Sequence, residues 1–317
     1  MTQAVVPVSP AGQTTETTNP RRGDRAGKNR APRSWRGWGF VGPFMLVFAL
    51  VFIAPIAYSL YISVFRTQLV GGTQFVGLDN YIRAFQDPQF WDGVGRVSLF
   101  LVVQVPIMLG IAMLVALAID SGRLYGKDFF RISVFMPYAV PAVVAALMWG
   151  FMYGPRFGLV GYINEFFGWS IPNPLGPQWI LLAIGNIVTW SFVGYNMLIF
   201  YSSLRTIPVS LYEAAELDGA KQHHVIRHIK MPAIRGSIAV AMIFSIIGSF
   251  QLFNEPSILQ KLAPNSITTY FTPNLYTYNL SFSGQQYNYA AAVAIIMGVF
   301  TMVIAYVVQL RGMRKDA

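Results

Sequence analysis

This chain of 317 residues has no cysteine and very little charge: Asp, Glu, Lys and Arg make up 11% of it. Without cysteine there is no disulfide, no thiolate metal site and no cysteine nucleophile. Soluble domains carry about 25% charged residues, and a deficit this large excludes an ordinary water-soluble fold. No Asp, Glu, Lys, Arg or His stands in the middle of any long apolar run. Carriers driven by protons and voltage sensors need a titrating or moving charge there, so the chain has no evident means of its own for harvesting an ion gradient. A sodium site built from carbonyls stays open. A complete phosphate loop is also missing. Gly122–Asp128 (GRLYGKD) approaches one, but it is a residue short and lacks the Ser or Thr that magnesium requires.

What the chain has instead is apolar length. Hydrophobic residues make up 54% and the mean hydropathy is +0.48. Six stretches can cross a hydrocarbon core of about 30 Å as helices: Phe40–Phe65, Val97–Ile119, Ile132–Met152, Ile180–Ser203, Ala233–Phe253 and Tyr289–Leu310. The fold class expected is therefore all-α, a polytopic membrane protein with six spans. Prolines 43, 55, 106, 137 and 141 fall inside the spans and are expected to kink rather than end them, since neighbouring helices can satisfy the freed carbonyls.

The net charge of +10 is placed as topology requires. With the amino terminus inside, all but five of the 23 lysines and arginines (Arg66, Arg83, Arg96, Arg156 and Lys261) lie in inner segments, which sets both termini on the cytoplasmic side. Residues 1–36 read as a disordered cytoplasmic tail. Its first half is rich in Thr, Pro and Gln, and its second half is a basic cluster suited to anionic headgroups. Residues 37–317 form the transmembrane domain.

The longest inner loop, 204–232, carries a pattern. Ser210 and Glu213 stand at capping-box spacing, Glu213, Ala214 and Ala215 open a short helix, and Gly219 is placed to end it in a left-handed conformation. A second amphipathic stretch, Lys221–Lys230, leads to Pro232 at the start of the fifth span. Two alanines leave little bulk on this element, and Glu213, Glu216 and Asp218 make one side acidic. The spacing of Glu213-Ala214-Ala215, Gly219, Ile229 and Pro232 resembles the EAA loop of the membrane subunits of bacterial ABC importers. Met231 stands where that family usually has leucine, a volume-conserving change. Ile207-Pro208, Leu211-Tyr212 and Asp218-Gly219-Ala220 are similar to the carbohydrate branch, which includes the maltose-type permeases.

The resemblance implies the type I importer fold and a chain that is not an enzyme. It implies a role in carrying a sugar delivered by an extracytoplasmic binding protein. The ATPase-coupling residues would be Glu213, Ala214, Ala215, Asp218, Gly219, Ala220, Ile229 and Pro232. The partners implied are a second homologous permease, two ATPase subunits that hold ATP and magnesium, and the binding protein, received on the outer loops 153–179 and 255–288. This chain would bind no cofactor itself. The location implied is the bacterial inner membrane. A substrate path is expected along the fourth and fifth spans, where sugars would find hydroxyl partners and ring faces, at Trp190, Tyr195, Asn196, Ser249, Gln251, Asn254 and Glu255. Polar residues at such positions also serve simply to join neighbouring helices. His223, His224 and His228 include an i, i+4 pair but lack further ligands, so they read as solvated or interfacial side chains. The rival function is a self-sufficient carrier or channel for a small polar solute.

Overall fold

The computed structural model describes residues 35–68, 70–122 and 124–313; the expected tail lies almost wholly outside them. The chain divides into a unit ending at Ile53 and a larger one from Ala54. Of the first, helix α1 (Trp35–Phe48) and a π turn (Ala49–Ile53) are described. Phe40, Phe44 and Leu50 of this segment are exposed, as suits helices solvated by hydrocarbon.

The larger unit begins with α2 (Ala54–Ser63) and a hairpin of β1 (Phe65–Gln68) and β2 (Gly72–Phe75). The hairpin pairs Phe65 with Phe75 and Gln68 with Gly72. It is an exception to the all-helical expectation, too short and polar to register as a periodic run. Helices α3 (Asp79–Gln86) and α4 (Pro88–Asp120) follow. Then come α5 (Lys127–Phe135), a 3-10 turn (Met136–Ala139), α6 (Ala142–Met152), α7 (Leu159–Phe167) and α8 (Ile180–Leu204). The loop element is α9 (Val209–Leu217), α10 (Gln222–Val225), a π turn (Ile226–Lys230) and α11 (Met231–Ala233). Helices α12 (Arg235–Phe250), α13 (Asn254–Leu262), α14 (Pro273–Phe282) and α15 (Tyr287–Met313) complete the chain.

Four helical stretches are long and apolar enough to cross a membrane: Trp38–Ser63, Pro88–Asp120, Ile180–Leu204 and Tyr287–Leu310. Two further spans are bent pairs, Lys127–Ala139 with Ala142–Met152 at 99° and Gln222–Ala233 with Arg235–Phe250 at 65°. Counting each pair as one gives the six expected, with corrections. Pro137 and Pro141 break the third span instead of kinking it. Each removes a helical N–H and crowds the carbonyl four residues back, and two in five residues leave no register for a continuous helix. The fifth span bends at Ile234, so Pro232 sits before the break and does not open α12. The second span starts at Pro88, earlier than the hydropathy alone suggests, because Asp87 caps α4 by accepting from the Gln89 N–H at 2.9 Å and Pro88 occupies its first turn.

At 33 residues α4 is about 50 Å long and runs through all three cores. Phe90, Val94 and Val97 pack with Ile246 and Phe250 of α12, Tyr276 of α14 and Tyr289 and Val293 of α15. Phe100 joins Ala145, Ile180, Ile184, Leu259 and Phe271. Met108, Ala112, Ala116 and Ile119 meet Met197, Phe200 and Leu204 of α8, with Ile234 and Ala241 at the base of α12. Small residues let backbones approach: a Cβ at Gly194 of α8 would stand 2.1 Å from the Val134 carbonyl oxygen.

At one end of α4, Asp87 Oδ2 accepts from the hydroxyls of Tyr276 at 2.5 Å and Tyr289 at 2.6 Å, and the Arg83 guanidinium lies 3.9 Å over the Tyr289 ring. Burial works against ionisation of Asp87. The two phenols and the N–H groups of Gln89 and Phe90 outweigh it and hold the carboxyl below its ordinary value of 3.8. Burial, and donation to Asp87, push the Tyr276 phenol up to about 12. We expect Asp87→Asn to cost about 2 kcal/mol near neutral pH, the scale of charge-assisted hydrogen bonds. A group with a lowered folded pKa stabilises above its unfolded value and loses that contribution as pH falls through the folded one. Melting of the detergent-solubilised protein should therefore show wild type and variant converging in acid.

Candidate functional site

Two regions carry the residues expected to act. The first is α9 with its flanks. Its amino-terminal end differs from the capping box that the spacing suggested: Pro208 occupies the cap, and no side chain accepts a capping hydrogen bond. With Val209 already helical, Ser210 lies inside the first turn, where its hydroxyl is out of position to cap. The carboxyl-terminal end is as expected. Gly219 has φ +70°, the Ala220 N–H donates to the Ala215 carbonyl at 2.9 Å, and the Gly219 N–H donates to that of Glu216 at 3.0 Å. This is the paired-bond helix end that a glycine in the left-handed region permits.

One side of α9 is anchored and the other is open. Tyr212 and Ile229 pack against the core cluster that α4, α8 and the base of α12 share. Glu213, Ala214, Glu216, Asp218 and Gly219 are exposed, while Ala215 and Ala220 are half-buried. Leu217 is 91% exposed. A protruding leucine among two small residues and three acids, over a rigid base, can seat in a cleft of another protein. Pro232 is exposed on the following segment, beside the loop but outside α9.

Beneath α9 lies a buried ion pair. Lys230 Nζ donates to Asp120 Oδ2 at 2.5 Å, with both side chains nearly inaccessible, and the Tyr212 ring centroid is 5.4 Å from Nζ. Burial first, and then the Asp120 charge, raise the pKa of the Tyr212 phenol. Its hydroxyl is buried with no hydrogen-bond partner. Asp120 did not stand out in the sequence, where it reads as an end charge of a span. A lone acid closing a 33-residue helix, with a lysine just before Met231-Pro232, was the available signal.

The second region comprises the residues expected to line a path. The structure does not gather all of them into one cavity. Tyr195 stacks on Tyr138, with ring centroids 4.9 Å apart and planes at 15°. The two line an open groove of about 530 Å³ with Arg131, Phe135, Leu198 and Ser202. Gln251 lines a different groove of about 620 Å³ between α12 and α15, with Asn274, Thr301 and Gln309. Trp190 meets Trp149 edge to face at 5.9 Å, and the Trp149 Nε1 is buried without a partner.

Asn196 is buried and donates to the Phe192 carbonyl at 3.0 Å, and Ser249 is buried and donates to that of Ser245 at 2.8 Å. Asn196 also donates to the Met108 Sδ of α4 at 3.8 Å, so it joins α8 to α4, while Ser249 bonds within its own helix. Asn254 and Glu255 open α13. Burial pushes the Glu255 carboxyl up, against the opposing effect of a backbone N–H. Tyr138 and Trp149, absent from the residues expected above, lie on either side of the break in the third span. Irregular backbone at membrane depth is tolerated where it is buried in protein or lines a cavity, so the Pro137–Pro141 break was the signal for them. Among the described residues no cluster of three or more His, Asp or Glu could hold a metal; the histidine rings lie against one another, His223 tilted on His224 at 4.0 Å and His224 stacked on His228 at 6.1 Å.

Residues 84–315 match the family described as binding-protein-dependent transport system inner membrane component. Among relatives, the lactose transport system permease protein LacF of Rhizobium radiobacter is 29% identical over 279 residues, covering 85% of this chain and 91% of its own. The diacetylchitobiose uptake system permease protein NgcF of Streptomyces coelicolor is 31% identical over 253 residues, covering 74% and 69%. The arabinooligosaccharides transport system permease protein AraP of Bacillus subtilis is 27% identical over 271 residues, covering 84% and 85%. The fold is similar to a chain in the crystal structure of a bacterial ABC transporter involved in the import of the acidic polysaccharide alginate. There the TM-score is 0.78 at 21% identity, over 89% of this chain and 96% of the other.

Proposed function

The chain belongs to the family of binding-protein-dependent transport system inner membrane components, and from that membership we propose that it is the sugar-translocating permease subunit of an ABC importer. Relatives named for lactose, diacetylchitobiose and arabinooligosaccharides support a mono- or oligosaccharide as the cargo. The observation that carries the reading is α9: an exposed acidic and small-residue helix, closed by Gly219 and seated on the base of α4, α8 and α12.

In this reading α9 faces the cytoplasm, with both termini on the same side. Glu213, Ala214, Ala215, Asp218, Gly219 and Ala220 meet a cleft of a separate ATPase, and Ile229 and Pro232 hold the segment behind it. ATP and magnesium reside on that partner. A second permease completes the pore, and an extracytoplasmic binding protein delivers the sugar to the opposite face. The chain makes and breaks no covalent bond. It shifts between inward-open and outward-open arrangements whose contacts with the ATPase differ, since only differential contacts move such an equilibrium. The Tyr138–Tyr195 stack and Trp190 offer ring faces to a pyranose, with Asn254 and Glu255 toward the outer end of the path. Asn196 and Ser249 hold their helices and leave the cargo to the aromatic residues.

The test is uptake into proteoliposomes holding the chain with its partner permease, ATPase subunits and binding protein, with radiolabelled lactose and diacetylchitobiose as probes. Uptake should require ATP, and Tyr195→Ala and Trp190→Ala should each lower it by about tenfold or more, the scale of one lost stacking contact. Uptake that persists without the ATPase subunits would instead favour a self-sufficient carrier.

A further inference from the structure

The Asp120–Lys230 pair is buried, joins residues 110 apart in the chain, and lies outside both sets of residues assigned above to ATPase docking and to the cargo path. Lys230 is 5% exposed. Taking two charges out of water is costly, and well-packed apolar side chains of like volume hold such a site at least as well. A pair kept there points to a requirement for register rather than for stability alone.

Three elements meet at this one ammonium. Asp120 is the last residue of α4, which runs through every core of the larger unit. Lys230 is the last residue of the π turn, and four residues later, past the fully buried Ile234, the chain turns by 65° into α12. Tyr212 belongs to α9 and lays its ring against Nζ. The hydroxyl of Tyr212 is buried without a partner, which costs free energy in this arrangement. Such a cost is relieved if α9 shifts, a property of an element with more than one position.

We propose that the Asp120–Lys230 pair, covered by the Tyr212 ring, is the joint through which displacement of α9 reaches α4 and α12. The three are positioning residues for coupling. The proposal rests on α9 being the segment seated in the ATPase. The ring presses on the ammonium, the ammonium carries α4 through Asp120, and the short link through Ile234 carries α12. The spans then move as one body with α9 instead of being left behind by it.

The absence of cysteine makes the test direct. In the full complex in nanodiscs, with cysteine-free partner subunits, Gln251→Cys reports the groove between α12 and α15 through its rate of reaction with a hydrophilic maleimide. That rate is compared without nucleotide and with ATP plus vanadate. The chain with its native pair should respond to nucleotide. Asp120→Leu with Lys230→Met restores apolar packing and removes the joint. It should still assemble and hydrolyse ATP within about twofold of wild type, while the nucleotide response of the reporter falls by about tenfold.

Lys230→Arg should keep the response. A full response in the apolar double variant overturns the joint and leaves the importer reading standing. No response in the native-pair chain overturns both. Should the double variant fail to assemble, Tyr212→Leu decides: it keeps the ion pair and removes the ring. A lost response supports the joint, and an unchanged one overturns it.

Discussion

Gly194→Ala should leave almost no correctly folded protein in the membrane. A methyl group at this position would stand 2.1 Å from the Val134 carbonyl oxygen and 2.7 Å from the Phe135 Cα. Both are backbone atoms, so no rotamer change gives way. Helices α5 and α8 would have to separate along a contact that also aligns Tyr138 with Tyr195. Overpacking of this kind costs about 1–3 kcal/mol when side chains can yield, and more when they cannot. Within a membrane that loss falls on the packing that drives helix association. Gly185, one face along the same helix, is the control. A Cβ there meets only side-chain atoms, Gln104 Cγ at 3.6 Å, Phe100 Cε2 at 3.7 Å and Gln104 Cβ at 3.9 Å, all ordinary contacts, so Gly185→Ala should fold. Size-exclusion chromatography of detergent extracts distinguishes the two: a monodisperse peak for Gly185→Ala and aggregate for Gly194→Ala. Equal behaviour would show that the α5–α8 contact is looser than described.

Gly219→Val should insert normally and lose ATP-driven uptake by about tenfold or more, whereas Gly219→Asn should retain most of it. Nothing lies within 4 Å of a Cβ at Gly219, so space is not the issue. The issue is φ +70°. A β-branched residue in the left-handed region is a genuine outlier, whereas asparagine visits it at small cost. α9 has nine residues, and a helix that short has no stability to spare in water. Losing the bonds from Ala220 to Ala215 and from Gly219 to Glu216 frays its last turn, where the exposed acids and Leu217 lie. An increment of about 1.4 kcal/mol is a factor of ten in the docked population. Because the strain lies in an exposed loop, the core is untouched, and protein yield should be unchanged while transport falls.

How far the sequence foretold this differs from element to element. Six apolar stretches were legible because hydrocarbon demands about twenty apolar residues in a row, and the structure has them as four whole helices and two bent pairs. The left-handed Gly219 was legible because few residues other than glycine end a helix that way. The breaks at Pro137–Pro141 and Ile234 were not. Whether proline kinks or breaks a span depends on which neighbours can take up the freed carbonyls, and sequence does not list neighbours. The capping box failed for a related reason: Pro208 had already set the start of α9, leaving Ser210 two residues too deep.

At the candidate site, residue type found Trp190 and Tyr195 but not their partners Trp149 and Tyr138, which come from another span. Asn196 and Ser249 looked like cargo ligands because they are polar, yet Ser249 donates to its own helix and Asn196 to its own helix and to Met108 of α4. The Asp120–Lys230 pair was hidden by its separation of 110 residues. Each charge alone is unremarkable at the end of a span, and only the tertiary fold makes them a buried pair.

The central claim is that α9 lies on the cytoplasmic side, gripped by an ATPase. Leu217→Cys tests it most directly, since this side chain is 91% exposed and the chain has no other cysteine. A membrane-impermeant maleimide should label it in inside-out vesicles only, and added ATPase subunits should protect it. Labelling in right-side-out vesicles, or a rate indifferent to the ATPase, would contradict the account.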